Sequence, residues 1–121
     1  MANSNESEEM YLKTILILSQ KIDLVRLVDV AASLGYAKSS VSNALKELSK
    51  KELIIYGDDK KIFLTDKGKE KAVKVNDRFE TLTKFLTNLG ADKNVAENDA
   101  CKLEHIVSEE LYEIIKEKTD N

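Results

Sequence analysis

No proline occurs in the 121 residues, and glycine occurs only four times. Proline interrupts helices and punctuates loops. A proline-free chain with scattered glycine therefore favours helices joined by short turns over a turn-rich β architecture. Apolar residues make up 42% and charged residues 34% of the chain, the balance of a globular protein and not of a disordered one. Ile15–Leu18 is the longest apolar run, at four residues, so no segment can span a membrane. The N-terminus is polar and acidic, without a secretory signal pattern. A single cysteine, Cys101, cannot form an internal disulfide, which points to a reducing compartment and a cytoplasmic protein. A chain this short leaves much apolar surface uncovered as a monomer, so a dimer is expected.

The formal charge is -3. Its distribution says more than its sum. Residues 36–71 hold nine Lys against six Asp and Glu, and residues 92–121 hold four Lys against nine Asp and Glu. A mildly basic middle and an acidic tail suit a chain that divides its labour between polar partners, although an ordinary solvated charge mixture gives the same numbers.

Residues 1–7 read as a disordered lead-in, with Ser7 as the cap of a helix beginning near Glu8. Met10, Tyr11, Thr14, Ile15, Leu18 and Ile22 then recur at helical spacing. After a break over residues 23–27, Val28–Leu34 forms a short helix that Gly35 ends. A second helix runs from about Lys38 to Lys51, with Val41, Ala44, Leu45 and Leu48 on its apolar face. Two short helices joined by Gly35-Tyr36-Ala37 have the outline of a helix-turn-helix. Residues 53–57 and 61–65 are β-rich, and Asp58-Asp59-Lys60 between them reads as a hairpin tip, so a wing follows. Thr65 caps a long helix that reaches about Leu89 and stops at Gly90. A short helix from Asp92 to about Asn98 and a last helix from about Asp99 complete the chain.

The second helix of the motif opens Lys38-Ser39-Ser40-Val41-Ser42-Asn43. Ser39, Ser40, Ser42 and Asn43 are short and polar, and Lys38 and Lys46 flank them. Such a helix suits a major groove, where Asn and Ser read base edges while Lys and hydroxyls reach phosphates. Lys60 and Lys61 on the wing could touch the adjoining backbone, although Asp58 and Asp59 weaken that role. A winged helix used for protein contacts is the alternative.

Cys101, Glu104 and His105 follow the spacing i, i+3, i+4, which places them on one face of a helix. A thiolate, a carboxylate and an imidazole converging there can bind a divalent transition metal. The ordinary reading of the same residues is a core cysteine, a surface glutamate and an interface histidine. Met10 offers a soft thioether on another helix, or simply fills the core. With one His and one Cys, no nucleophile elbow and no phosphate loop, the chain does not read as an enzyme.

Five stretches together resemble the diphtheria-toxin-repressor family of metal-dependent transcriptional repressors. They are Glu9-Met10-Tyr11-Leu12-Lys13-Thr14-Ile15, Val28-Asp29-Val30-Ala31, Ser39-Ser40-Val41-Ser42, Leu64-Thr65-Asp66-Lys67-Gly68 and, most specific, Asn98-Asp99-Ala100-Cys101-Lys102-Leu103-Glu104-His105. The resemblance implies a DNA-binding winged domain followed by helices that bind metal and dimerise. It implies a primary metal site of Met10, Cys101, Glu104 and His105, the iron-type set. The family's manganese-sensing branch has acidic residues at the positions of Met10, Lys13 and Cys101. Ferrous iron is thus the implied metal, with manganese possible and cobalt or nickel as surrogates.

Two departures from the family pattern stand out. Phe79, Thr83 and Glu97 fall where the ancillary site has histidine, carboxylate and histidine, so that site is missing or rebuilt from Glu80 and Glu97. Many iron-type members also carry an SH3-like domain; this chain ends sixteen residues past His105 and is expected to be a short form. The expected architecture is mainly α: a winged helix-turn-helix DNA-binding domain over residues 1–72, then a helical metal-binding and dimerisation domain over 73–121. The expected partners are a double-stranded, palindromic DNA operator and a second copy of the chain, the latter through Ile106, Val107, Leu111 and the apolar face of residues 92–117.

Overall fold

A computed structural model describes residues 4–120. In chain order the elements are α1 (Ser4–Lys21), β1 (Val25–Arg26), α2 (Leu27–Leu34), α3 (Lys38–Lys50), β2 (Ile54–Tyr56), β3 (Lys61–Leu64), α4 (Asp66–Asn88), α5 (Lys93–Leu103) and α6 (Glu109–Asp120). The chain divides into two compact units, one through Val73 and one from Lys74.

The first unit is a winged helix. Its core gathers Leu12, Ile15, Val30, Val41, Leu45 and Ile54, with Leu48, Leu53, Ile62 and Ala72 around them. The sheet is antiparallel in the order β1-β3-β2, pairing Val25 with Ile62 and Ile55 with Phe63. The pleat turns Ile54 and Ile62 inward and leaves Ile55 and Phe63 exposed. Asp29 starts α2 by accepting the Arg26 amide at 2.9 Å. Gly35 ends α2 at φ 70°, the left-handed cap for which glycine is suited, with its amide on the Ala31 carbonyl at 2.9 Å.

Several expectations at element ends are corrected. Helix α1 begins at Ser4, so Ser7 lies inside it and is not its cap; Glu6 in the first turn suits the helix dipole. Residues 1–3 of the expected lead-in lie outside the described residues. The break before α2 contains a strand, β1, whose backbone pairs with β3. On α1 the buried set includes Leu12, Lys13 and Leu16, whereas Ile22 is exposed.

In the second unit Val75, Leu82, Ala96, Ala100 and Tyr112 are buried. Gly90 closes α4 at φ 108°, its amide bonded to the Thr87 carbonyl. Helix α5 runs without interruption from Lys93 to Leu103, so the expected division near Asn98 is absent. The break falls instead at 104–108. Ser108 explains it: its hydroxyl accepts the Leu111 amide at 3.1 Å, and Glu109 and Glu110 fill the first turn of a new helix.

Candidate functional site

Helix α3 presents its polar side outward because its apolar side is locked. Val41, Leu45 and Leu48 are buried, and the 3.6-residue period sets Ser39, Asn43 and Lys46 on the opposite face. Lys38, Ser39, Ser40, Asn43 and Lys46 are exposed, and Ser42 is half-buried. Ala37, the N-cap, supplies no side-chain hydrogen bond. The first-turn amides of α3 thus lack the side-chain acceptor that a Ser or Asp would have offered, which suits an anionic partner such as phosphate.

The wing separates its two lysines. The Asp59 carboxylate accepts the Lys61 amide at 3.1 Å and lies 3.4 Å from the Lys61 ammonium. That backbone hydrogen bond holds the Asp59 carboxyl below its ordinary pKa. Lys61 is therefore half-buried and engaged. Lys60 is exposed, takes a positive φ of 66° at the tip, and holds its ammonium 5.6 Å from the centre of the Tyr56 ring. An open groove between α3 and the wing is lined by Asn43, Lys46, Glu47, Lys50 and Tyr56. Lys50 and Tyr56 were not among the predicted DNA-facing residues. The position of Lys50, one turn beyond Lys46, was the available signal.

The predicted metal-ligating residues of the tail lie at the end of α5. Cys101 sits in its last turn, half-buried, and Glu104 is the C-cap in helical conformation. His105 lies beyond the α-helix. Its amide reaches the Lys102 carbonyl at 3.3 Å, a tighter turn that carries the helical path onward. The Glu104 and His105 side chains are 0% and 1% exposed, and Oε1 of one lies 3.1 Å from Nε2 of the other. A carboxylate taken wholly out of water is costly unless a cation or donors stand beside it. A carboxylate and an imidazole are donor types that divalent transition metals take, and Cys101 one turn earlier carries a third. Among the described residues, no group of three or more His, Cys, Asp and Glu side chains is gathered as a ready-made metal cage. Met10 belongs to α1 in the first unit, half-buried.

The predicted ancillary residues are each engaged on their own helix. Glu80 accepts from the Asn76 side-chain amide at 3.3 Å, and Glu97 lies 3.9 Å from the Lys93 ammonium. The Thr83 hydroxyl donates to the Phe79 carbonyl at 2.8 Å.

In the second unit Arg78 also went unread in the sequence. Arg78 of α4 donates from Nη2 to the Val107 carbonyl and lies over the Tyr112 ring at 5.1 Å. The second unit also leaves Val95, Ile106, Leu111 and Ile114 exposed, with Val107 and Ile115 half-buried. Among the described residues no helix is long and apolar enough to cross a membrane.

Comparison with known proteins covers both units. Residues 4–62 match the iron dependent repressor N-terminal DNA binding domain, and residues 65–121 match the iron dependent repressor metal binding and dimerisation domain. An uncharacterized HTH-type transcriptional regulator of Methanocaldococcus jannaschii, MJ0568, is 35% identical over 114 residues, covering 93% of this chain and 91% of that protein. The transcriptional regulator MntR of Escherichia coli O157:H7 is 32% identical over 115 residues, covering 95% of this chain and 74% of that protein. Among solved structures, a manganese-dependent transcriptional repressor in complex with manganese superposes with a TM-score of 0.84 at 29% identity, over 93% of this chain. This chain spans about half the length of that one, 52%.

Proposed function

The chain belongs to the iron dependent repressor family, whose members are DNA-binding transcriptional regulators and not enzymes, and on that premise we propose a metal-dependent repressor of metal-homeostasis genes. The observation that carries the metal dependence is the buried pair of Glu104 and His105, 3.1 Å apart and one turn from Cys101. Cys101, Glu104 and His105 hold the divalent ion, with Met10 as the fourth ligand that the family resemblance implies. When bound, the ion would supply positive charge beside the buried Glu104 carboxylate.

The remaining steps belong to the chain. Ser39, Ser42 and Asn43 read base edges in the major groove, while Lys38, Ser40, Lys46 and Lys60 contact phosphates. Lys61, paired with Asp59, contributes less. A second copy of the chain covers the apolar surface of Ile106, Leu111 and Ile114, and a palindromic operator presents half-sites roughly 34 Å apart to the two α3 helices. Ligands drawn from α1 and from the end of α5 couple metal to DNA. By linkage, metal that strengthens DNA binding is itself bound more tightly when DNA is present.

The donor set points to ferrous iron, because thiolate and thioether are soft ligands. A second reading, a manganese-responsive regulator, is favoured by the likeness to the solved manganese-dependent repressor. Glu80 and Glu97 remain the residues from which a second site would be rebuilt. The test is an anaerobic DNA-binding assay on the gene's own upstream region, without metal and with ferrous or manganous ion. Equal affinity in all three conditions removes metal dependence. Activation by manganese alone selects the second reading.

A further inference from the structure

The ligand-bearing turn after α5 has an incomplete backbone of its own. Its amides are satisfied backwards: Glu104 to Ala100, His105 to Lys102, and Ile106 and Val107 to Leu103, at 2.9 to 3.3 Å. Its carbonyls are a different matter. In a continuous helix the Val107 carbonyl would accept from the amide four residues on, that of Leu111. Ser108 has taken that amide with its hydroxyl to start α6. The Val107 carbonyl thereby loses its helical donor at the point where the chain changes direction.

Arg78 replaces it. The residue comes from α4, 29 positions earlier, and its Nη2 donates to the Val107 carbonyl. The guanidinium lies 5.1 Å from the centre of the Tyr112 ring, in the first turn of α6. Tyr112 is itself fixed: it is buried, its amide bonds to the Ser108 carbonyl at 2.9 Å, and its hydroxyl lies 3.4 Å from the Thr81 hydroxyl on α4. One planar cation thus ties α4, the 104–108 turn and α6 together. Arg78 Nε is buried without a hydrogen-bond partner.

We infer that Arg78 is a positioning residue for the metal centre: it fixes the turn that carries Glu104 and His105, so that both ligands are set before an ion arrives. The inference rests on the metal-binding reading given above. An ordered turn leaves less conformational entropy to be lost on binding, and that saving appears as affinity. Lysine is a poor substitute, because an ammonium cannot both donate in a fixed plane and stack on the ring.

The experiment uses the full chain as Arg78→Met, Arg78→Lys and Tyr112→Phe, titrated anaerobically with ferrous and manganous ions. Titration is done at a temperature where circular dichroism shows each variant folded. Amide hydrogen exchange is followed without metal. Arg78→Met is expected to bind about tenfold more weakly, the scale of losing a charge-assisted hydrogen bond, with Arg78→Lys between it and wild type. Tyr112→Phe keeps the ring and is expected to stay near wild type. Exchange should quicken at Ile106 and Val107 in Arg78→Met, while Leu82 and Ala96 stay protected. Wild-type affinity and protection in Arg78→Met overturn the inference. If Arg78→Met does not fold, Arg78→Lys decides in the same way. If wild type binds neither ion but exchange still quickens only at the turn, the metal reading falls and the inference with it, and only the ordering of the 104–108 turn by Arg78 is left.

Discussion

Replacing Gly68 by alanine should destabilise the winged helix, against the sign that helix propensity gives. Gly68 is the third residue of α4, where alanine is ordinarily favoured over glycine by about 1 kcal/mol. Here a Cβ would stand 1.8 Å from the Leu53 carbonyl oxygen and 2.8 Å from its carbon. Both are backbone atoms, so no rotamer change relieves the contact. Reaching an ordinary carbon–oxygen separation of about 3.3 Å requires α4 and the start of β2 to part by roughly 1.5 Å. Two hydrogen bonds cross that junction: the Thr65 amide to the Leu53 carbonyl at 3.1 Å and the Thr65 hydroxyl to the Glu52 carbonyl at 2.7 Å. Thr65 also caps α4 through the Gly68 amide at 3.0 Å.

Losing both crossing bonds removes about 1–3 kcal/mol, and displacing buried Leu53 and Ala72 costs a further ~1–3 kcal/mol. After the propensity gain the net is about 1–5 kcal/mol. For a unit of this size that is a fall in melting temperature on the order of 5–40 °C. Thermal and urea unfolding of the full chain, followed by circular dichroism, measure it. Gly57→Ala is the control: its Cβ would meet only the Asp59 side chain, at 3.1 Å, so the expected change is below about 1 kcal/mol. A Gly68→Ala protein as stable as wild type would refute the close-approach argument.

Three further outcomes are expected. Cys101→Ala should weaken binding of ferrous and manganous ions at least about tenfold, and Cys101→Asp should shift preference toward manganese; anaerobic titration reads both, along with a stoichiometry of one strong site per chain. Asn43→Ala should lower affinity for the operator and relax its sequence preference, by about 1–3 kcal/mol at the contacted base, whereas Lys46→Ala should weaken binding to any DNA and reduce its salt slope by about one; mobility shifts across a salt series separate them. The chain should sediment as a dimer at micromolar concentration without metal, and Leu111→Glu should make it monomeric; a wild-type monomer would remove the two-fold arrangement.

The parts legible in the sequence are those whose signal is local. Val41, Leu45 and Leu48 repeat at helical spacing, Gly35 stands where a left-handed cap is needed, and the hairpin alternates across a polar tip. Strand β1 has two residues, too few to show alternation, and exists because β3 offers an unpaired edge. The break before α6 was legible in principle, since Ser108-Glu109-Glu110 is a helix start, but the helical spacing running on through Ile106, Val107 and Leu111 masks it. Cys101, Glu104 and His105 could be singled out because the chain's one cysteine and one histidine fall within five residues of each other. Arg78 could not, because what defines it is a carbonyl 29 residues away.

Glu8 shows the same limit and bears on how the first unit would work. In the sequence it marks only the start of a helix, yet its side chain is buried, and it accepts from Lys51 at 2.8 Å and from Lys71. Lys51 is the C-cap of α3 and Lys71 lies in α4. A carboxylate this buried is tolerated only with its partners in place, and both lysines hold its pKa below the ordinary value despite burial. Helix α1 is thereby tied to the C-terminal end of α3, while Leu12 and Ile15 anchor it to the core that Val41 and Leu45 complete. Four residues after the start of α1, Glu8 precedes Met10 by less than one turn, so the proposed ligand and the clamp share one helical segment. Displacement of α1 by metal would consequently carry α3 with it as one body. On the proposed reading, a metal that moves α1 would change the placement of α3 and leave the shape of its polar face alone.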